Sequence, residues 1–141
     1  MKKVATILTT LGLINAGELA VTGNDAMQYS TKTLTATVGE PVKLSFKHIG
    51  QLPKTAMGHN IAILKPGSDM TTFATASMSA AATDYIPADE ANQAMLVANT
   101  KMIGGGEEDA IEVTFTEAGE YPFLCTFPGH YAIMNGVITV K

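Results

Sequence analysis

Cys125, His130 and Met134 fall within ten residues, in the run Cys125-Thr126-Phe127-Pro128-Gly129-His130-Tyr131-Ala132-Ile133-Met134. The Pro128-Gly129 pair is a turn signal, and a chain folded back there can point the imidazole and the thioether at the thiolate. Far upstream, Gly58-His59-Asn60 stands where a loop enters a strand. A soft thiolate, two imidazoles and a thioether suit one metal especially well. Two histidines and a cysteine in a plane, with a weak axial methionine, form the blue-copper electron-transfer site. Cu(I) favours sulfur and low coordination, Cu(II) accepts imidazole nitrogen, and a rigid mixed set that suits both lowers reorganisation as the electron moves. Taken singly, each residue has a plainer reading. Cys125 alone is a buried small hydrophobe, His130 a solvent-facing loop residue, and Met134 a packing methionine among eight. The joint spacing, with the turn inside it, carries the metal reading.

The elements that must position these groups read as short strands between turn residues. Thr33 to Val38 alternates with period two until Gly39-Glu40-Pro41 breaks it. Val42, Leu44 and Phe46 share one face of the next strand, Lys43, Ser45 and Lys47 the other, and His48 continues the inward series. Asn60 to Leu64 is a near-continuous apolar strand ended by Lys65-Pro66-Gly67. Over residues 68–82 the period changes. Met70, Phe73, Ala74 and Ser77 recur at helical spacing and Ser68 or Asp69 can cap the start, which predicts a short helical excursion. Met95 to Ala98 reads as another strand. Gly104-Gly105-Gly106 lacks the Lys-Ser/Thr ending of a phosphate loop. Ile111, Val113 and Phe115 alternate, Tyr121, Phe123 and Cys125 share a face, and Gly136 to Val140 forms a last strand. About eight strands with closely spaced turns predict an all-β fold, a Greek-key β-sandwich or barrel.

Composition narrows the function classes. The chain has 141 residues, enough for one domain with a real core, and its 46% hydrophobic and 16% charged content excludes disorder. A net charge of −4 without a Lys/Arg stripe gives nucleic-acid binding no electrostatic support. The single cysteine rules out an intrachain disulfide and a thiolate-only zinc site. Met1-Lys2-Lys3, a short apolar run and small residues around Asn15-Ala16-Gly17 read as a secretory leader over residues 1–16, leaving a domain over 17–141 in the periplasm. The alternative is a native first strand with a Lys-rich start, because Thr and Val suit strands. No later stretch is long and apolar enough for a membrane span.

The chain resembles the azurins, the small bacterial blue-copper proteins of the cupredoxin family, over nearly all of residues 17–141. The resemblance rests on Gly23-Asn24-Asp25-Ala26-Met27-Gln28, Leu52-Pro53-Lys54, Met57-Gly58-His59-Asn60, Asn99-Thr100-Lys101-Met102-Ile103-Gly104 and Cys125 to His130. It implies an eight-stranded Greek-key sandwich with one copper ion at one end and a role as a periplasmic one-electron carrier. It implies that His59, Cys125 and His130 are equatorial ligands, with Met134 and the Gly58 carbonyl as weak axial contacts. Asn60 would tie the two ligand segments together near Thr126, with Phe127 beside them, and Tyr121 would make a tyrosine corner. Two departures stand out. Azurins usually carry a disulfide near the N-terminal end, which this chain cannot form, and Ile61 replaces their usual core tryptophan.

The same resemblance places Met27, Met57, Phe127, Pro128, Ala132 and Ile133 around the outer edge of His130, an apolar patch suited to transient docking. The implied partners are redox proteins such as c-type cytochromes or a terminal reductase, met by a monomer. His48 has two readings, a partly buried imidazole whose charge shifts the copper potential with pH, and a satisfied core histidine. Two other functions compete with electron transfer. A Cys-His enzyme would need a polar cleft and leaves Met134 and Gly58 without a role. A copper delivery or storage protein would use the same ligand types in a more open site.

Overall fold

The computed structural model describes residues 17–141, so the leader expected over residues 1–16 lies outside the described residues. Among the described residues, eight strands form two sheets. β1 (Glu18–Gly23), β3 (Val42–His48) and β6 (Glu108–Val113) make a three-stranded sheet in the order β1-β3-β6. β2 (Thr33–Ala36), β4 (Ala62–Leu64), β5 (Leu96–Asn99), β7 (Gly119–Leu124) and β8 (Asn135–Val140) make a five-stranded sheet in the order β2-β8-β7-β4-β5. β1 pairs with β3 and β2 with β8 in parallel, and the remaining pairs are antiparallel. The all-β sandwich read from the sequence is the fold.

The alternation in β3 produces its expected result. Val42, Leu44, Phe46 and His48 are buried, while Lys43 and Lys47 face outward opposite Glu112 and Glu108 of β6. The core between the sheets gathers Val21, Leu44, Phe46, Ile61, Ile63, Phe115, Phe123, Ile138 and Val140. Ile61, in the place where azurins carry tryptophan, is fully buried there. Tyr121 donates its hydroxyl to the Glu117 carbonyl at 2.7 Å, the expected corner.

The helical excursion is α2 (Met70–Ser77) followed by a 3₁₀ turn at Ala81–Thr83. Asp69 is the cap, its carboxylate accepting from the Thr71 and Thr72 amides. Phe73 and Ala74 pack with Ala62, Leu64, Ile86 and Leu124 on the outer face of the larger sheet, so β4 and the Phe123–Leu124 end of β7 are buried on both faces. Two short helices were not foreseen: α1 (Lys54–Met57) and α3 (Glu90–Met95). α3 ends where the apolar run around Met95 was read as strand, so that strand begins one residue later, at Leu96. No helix among the described residues is long and apolar enough to cross a membrane.

Candidate metal centre

The antiparallel register Ala62↔Leu124 brings the chain leaving the His59 loop beside the chain that runs into Cys125. Each segment is then locked separately. His59 exchanges two main-chain hydrogen bonds with Ile103, at 3.0 Å and 2.8 Å. On the other side, Phe127 to His130 forms a β-turn closed by the His130 amide on the Phe127 carbonyl at 3.0 Å. Gly129 sits at φ 85°, the left-handed value that a Pro-Gly turn of this kind requires. The His130 carbonyl accepts from the Met134 amide at 2.8 Å, and the Met134 carbonyl accepts from the Cys125 amide at 3.0 Å. The loop is therefore closed on itself from Cys125 to Met134.

These locks bring Sγ of Cys125 and the ligand nitrogens of His59 and His130 within 4.8 Å of one another, all three residues buried. Sγ lies 3.9 Å from Nδ1 of His59, 3.6 Å from Nδ1 of His130 and 3.8 Å from the Gly58 carbonyl oxygen. Met134 is fully buried at the end of the same loop. Gly58 has ordinary dihedrals, φ −68° and ψ 143°, so its glycine answers to space and not to backbone freedom. A Cβ there would stand 2.8 Å from the Lys54 carbonyl oxygen and 2.9 Å from the Phe127 ring.

The donor set fits a metal in its chemistry as well as its spacing. Nε2 of His59 donates to the Asn24 carbonyl at 2.8 Å, which leaves Nδ1 unprotonated and turned to the cysteine. Burial pushes the Cys125 thiol up to about 12, although the Asn60 and Phe127 amides pull the other way. Burial also holds His59 below the usual imidazole range and pushes His130 down to about 4, with His59 and His48 adding to the latter. Near neutral pH the metal-free site thus holds two neutral imidazoles and one thiol. Loading a divalent cation should then release one proton, from Cys125, and apparent affinity should rise about tenfold per pH unit from roughly pH 6 to 9. Zn(II) calorimetry in two buffers of different ionisation enthalpy counts that proton, and a count of zero would contradict the site.

The supporting residues stand largely where expected. Asn60 bridges the two segments, donating from Nδ2 to Thr126 Oγ1 at 2.9 Å and accepting the Thr126 amide at 2.8 Å. Phe127 packs on the His130 ring with centroids 4.6 Å apart. Of the residues expected to form a docking patch, Met27, Met57 and Pro128 are half-buried, while Ala132 and Ile133 are exposed. His48 lies against His59, ring centroids 4.5 Å apart and nearly parallel. Its Nδ1 accepts from the Gly50 amide and its Nε2 donates to the Met57 carbonyl, so as a neutral ring it is satisfied at both nitrogens.

Several contributors escaped the sequence reading. Asn24 supplies the carbonyl for His59, and Asp25 holds that loop against the next by accepting the Gln51 and Leu52 amides. Tyr29 donates its hydroxyl to the Asn60 carbonyl. Gly23 leaves room for the His59 ring, which a Cβ would approach to 2.9 Å. The Asn24-Asp25 turn composition was visible, but not its targets.

Comparison with known proteins agrees with this geometry. The family profile described as copper binding proteins, plastocyanin/azurin family, matches residues 16–141. Azurin of Alcaligenes faecalis is 40% identical over 128 residues, covering 87% of this chain and 97% of that protein. Azurin of Pseudomonas aeruginosa strain PAO1 is 36% identical, covering 100% of this chain and 99% of its own length. Outer membrane protein H.8 of Neisseria meningitidis serogroup B is 42% identical over 130 residues, covering 89% and 69% respectively. Among solved structures, dithionite-reduced auracyanin from Roseiflexus castenholzii superposes with a TM-score of 0.79 at 32% identity, covering 90% of this chain and 98% of that one.

Proposed function

The chain belongs to the plastocyanin/azurin family of copper-binding proteins, and on that premise we propose that it is a one-electron carrier of the periplasm or cell envelope. The observation that carries the proposal is the closed set of one sulfur and two imidazole nitrogens, held dry at one end of the sandwich. His59, Cys125 and His130 would hold the ion, and Met134 and the Gly58 carbonyl would serve as weaker contacts. Copper, once bound, supplies a one-electron couple between Cu(I) and Cu(II).

The chain's own residues do the rest. The Ile103 bridge and the Asn24 carbonyl fix the position and tautomer of His59, and the Asn60 bridge keeps the two ligand segments at constant separation. Amides of Asn60 and Phe127 at the sulfur favour its anionic form. Phe127 packs on the ring of His130, and its own ring lies close against Gly58. A frame that does not move with the oxidation state keeps the barrier to electron transfer low.

Two features support a carrier over the competing functions. A cysteine nucleophile needs a depressed pKa and access, whereas burial pushes this thiol up to about 12. Copper delivery calls for an open site, whereas His59 and Cys125 are wholly buried. The envelope location draws support from the basic, apolar start of the chain and from a relative named as an outer membrane protein. Redox partners would meet the exposed Ala132 and Ile133 beside His130. The deciding experiment is Cu(II) addition to the metal-free protein followed by voltammetry. An intense blue thiolate-to-copper band and a reversible one-electron wave are expected, and a colourless or redox-silent product would overturn the proposal. Recovery in the osmotic-shock fraction of the native cells checks the location, and recovery with the cytosol would exclude it.

The docking surface yields its own expectation. Ile133→Asp or Ala132→Asp should slow electron transfer to a protein partner severalfold while leaving the visible spectrum unchanged, because both side chains point to solvent. Stopped-flow rates against the parent decide it. Equal rates would move the docking surface elsewhere.

A further inference from the structure

Ile133 is 51% exposed, and its carbonyl is held by a lysine 101 residues away in sequence. Nζ of Lys32 donates to the Ile133 carbonyl at 2.7 Å and reaches the Asn135 carbonyl at 3.5 Å, so it spans the carbonyls of the two residues that flank Met134. The lysine's backbone is anchored to the same segment. Its carbonyl accepts the Val137 amide at 2.9 Å, and a Cβ on Gly136 would come within 2.4 Å of that oxygen. The ammonium is thus placed at the rim of the ligand loop, on the exposed side of the Ile133–Asn135 segment. Both of its acceptors are neutral carbonyls, which orient the charge without cancelling it. The chain as a whole carries a net charge of −4, and this cation stands against that charge on the segment that carries the exposed Ile133.

We propose that Lys32 is a partner-selecting residue that directs the Ile133–Ala132 face toward a redox partner whose contact edge is lined with carboxylates. The proposal rests on the electron-carrier reading and deepens it. A charge on the rim of an interface acts mainly on encounter rate and on the choice of partner, while the apolar centre supplies the contact. An acidic partner is repelled by the protein's net charge at long range and attracted at this rim, so the rim favours approaches that bring the partner to the Ile133 face. Loss of the lysine's charge removes that preference without deleting any copper ligand.

The test uses the copper-loaded, reduced protein and two small oxidants of opposite charge, hexacyanoferrate(III) and tris(1,10-phenanthroline)cobalt(III). At about 10 mM ionic strength, Lys32→Gln should slow oxidation by the anion about fivefold and speed oxidation by the cation by a similar factor, taking a unit charge about 10 Å from a triply charged probe. Lys32→Glu should do more, Lys32→Arg should behave as the parent, and the differences should collapse near 1 M salt. A changed copper potential would move both rates in the same direction, so the ratio of the two rates isolates the charge. A ratio unmoved in Lys32→Glu, with the parent active toward both probes, overturns the role of Lys32 alone. A parent inert to both probes overturns the carrier reading and this proposal with it.

Discussion

Cys125→Ser should fold and yet stay colourless with Cu(II), losing the intense visible band completely. The substitution exchanges sulfur for oxygen in a fully buried position with little change in shape. Sulfur is the only soft anionic donor that the site can offer, since the chain has one cysteine. A hydroxyl is a hard donor that stays protonated, so the remaining imidazoles hold copper without a thiolate to supply the colour or to stabilise Cu(I). Affinity for Cu(I) should fall by more than the roughly 10–100-fold that loss of an outer hydrogen-bond partner costs. Absorption spectra and competition with a Cu(I) chelator measure both effects, and the circular dichroism of the metal-free variant should match the parent. A variant that turns blue would remove the sulfur from the centre.

Asn60→Ala should produce the largest loss of stability among the polar residues that support the ligands. The residue is fully buried and both ends of its amide are used, one on the Thr126 hydroxyl and one on the Thr126 main chain. Alanine leaves a buried N–H without an acceptor and opens a small void, with an expected cost of about 3 kcal/mol in the metal-free protein. Thr126→Ala removes only the side-chain half of the bridge and should cost about 1 kcal/mol. Urea unfolding of both single variants and the double variant separates bridge from bulk packing, because residues in one network show coupling of roughly 0.5–3 kcal/mol. Strictly additive losses would show that Asn60 does not link the two segments. The Asn60→Ala holoprotein should also show a broadened copper spectrum, since nothing then fixes the separation of His59 and Cys125.

Much of this protein was legible in its sequence, and what was hidden shares a physical cause. The β3 alternation from Val42 to His48 and the Asp69 cap of α2 are local patterns, and the structure follows them. The Cys125–Met134 run was equally readable, because a Pro-Gly turn determines its own geometry. The Asn24 carbonyl on His59 was not, since a main-chain oxygen carries no residue label and lies 35 positions away. Tyr29 and Lys32 were missed for the same reason, their partners being backbone carbonyls brought near only by sheet assembly. α1 and α3 are four and six residues long, too short for periodicity to show. The parallel pairings of β1 with β3 and of β2 with β8 had no signature, because register between distant strands is a property of the packed sandwich.

The position of β8 between β2 and β7 bears on how the protein is made. Every donor precedes residue 135, yet the strand that leads into Cys125 has β8 as one of its two neighbours, and β2 has β8 alone. Without β8 the larger sheet is incomplete, β2 having no partner and β7 only one, so a chain can carry all its ligands before the sheet that positions Cys125 is assembled. A nonsense codon just after Met134 should therefore weaken copper binding without deleting a single donor atom.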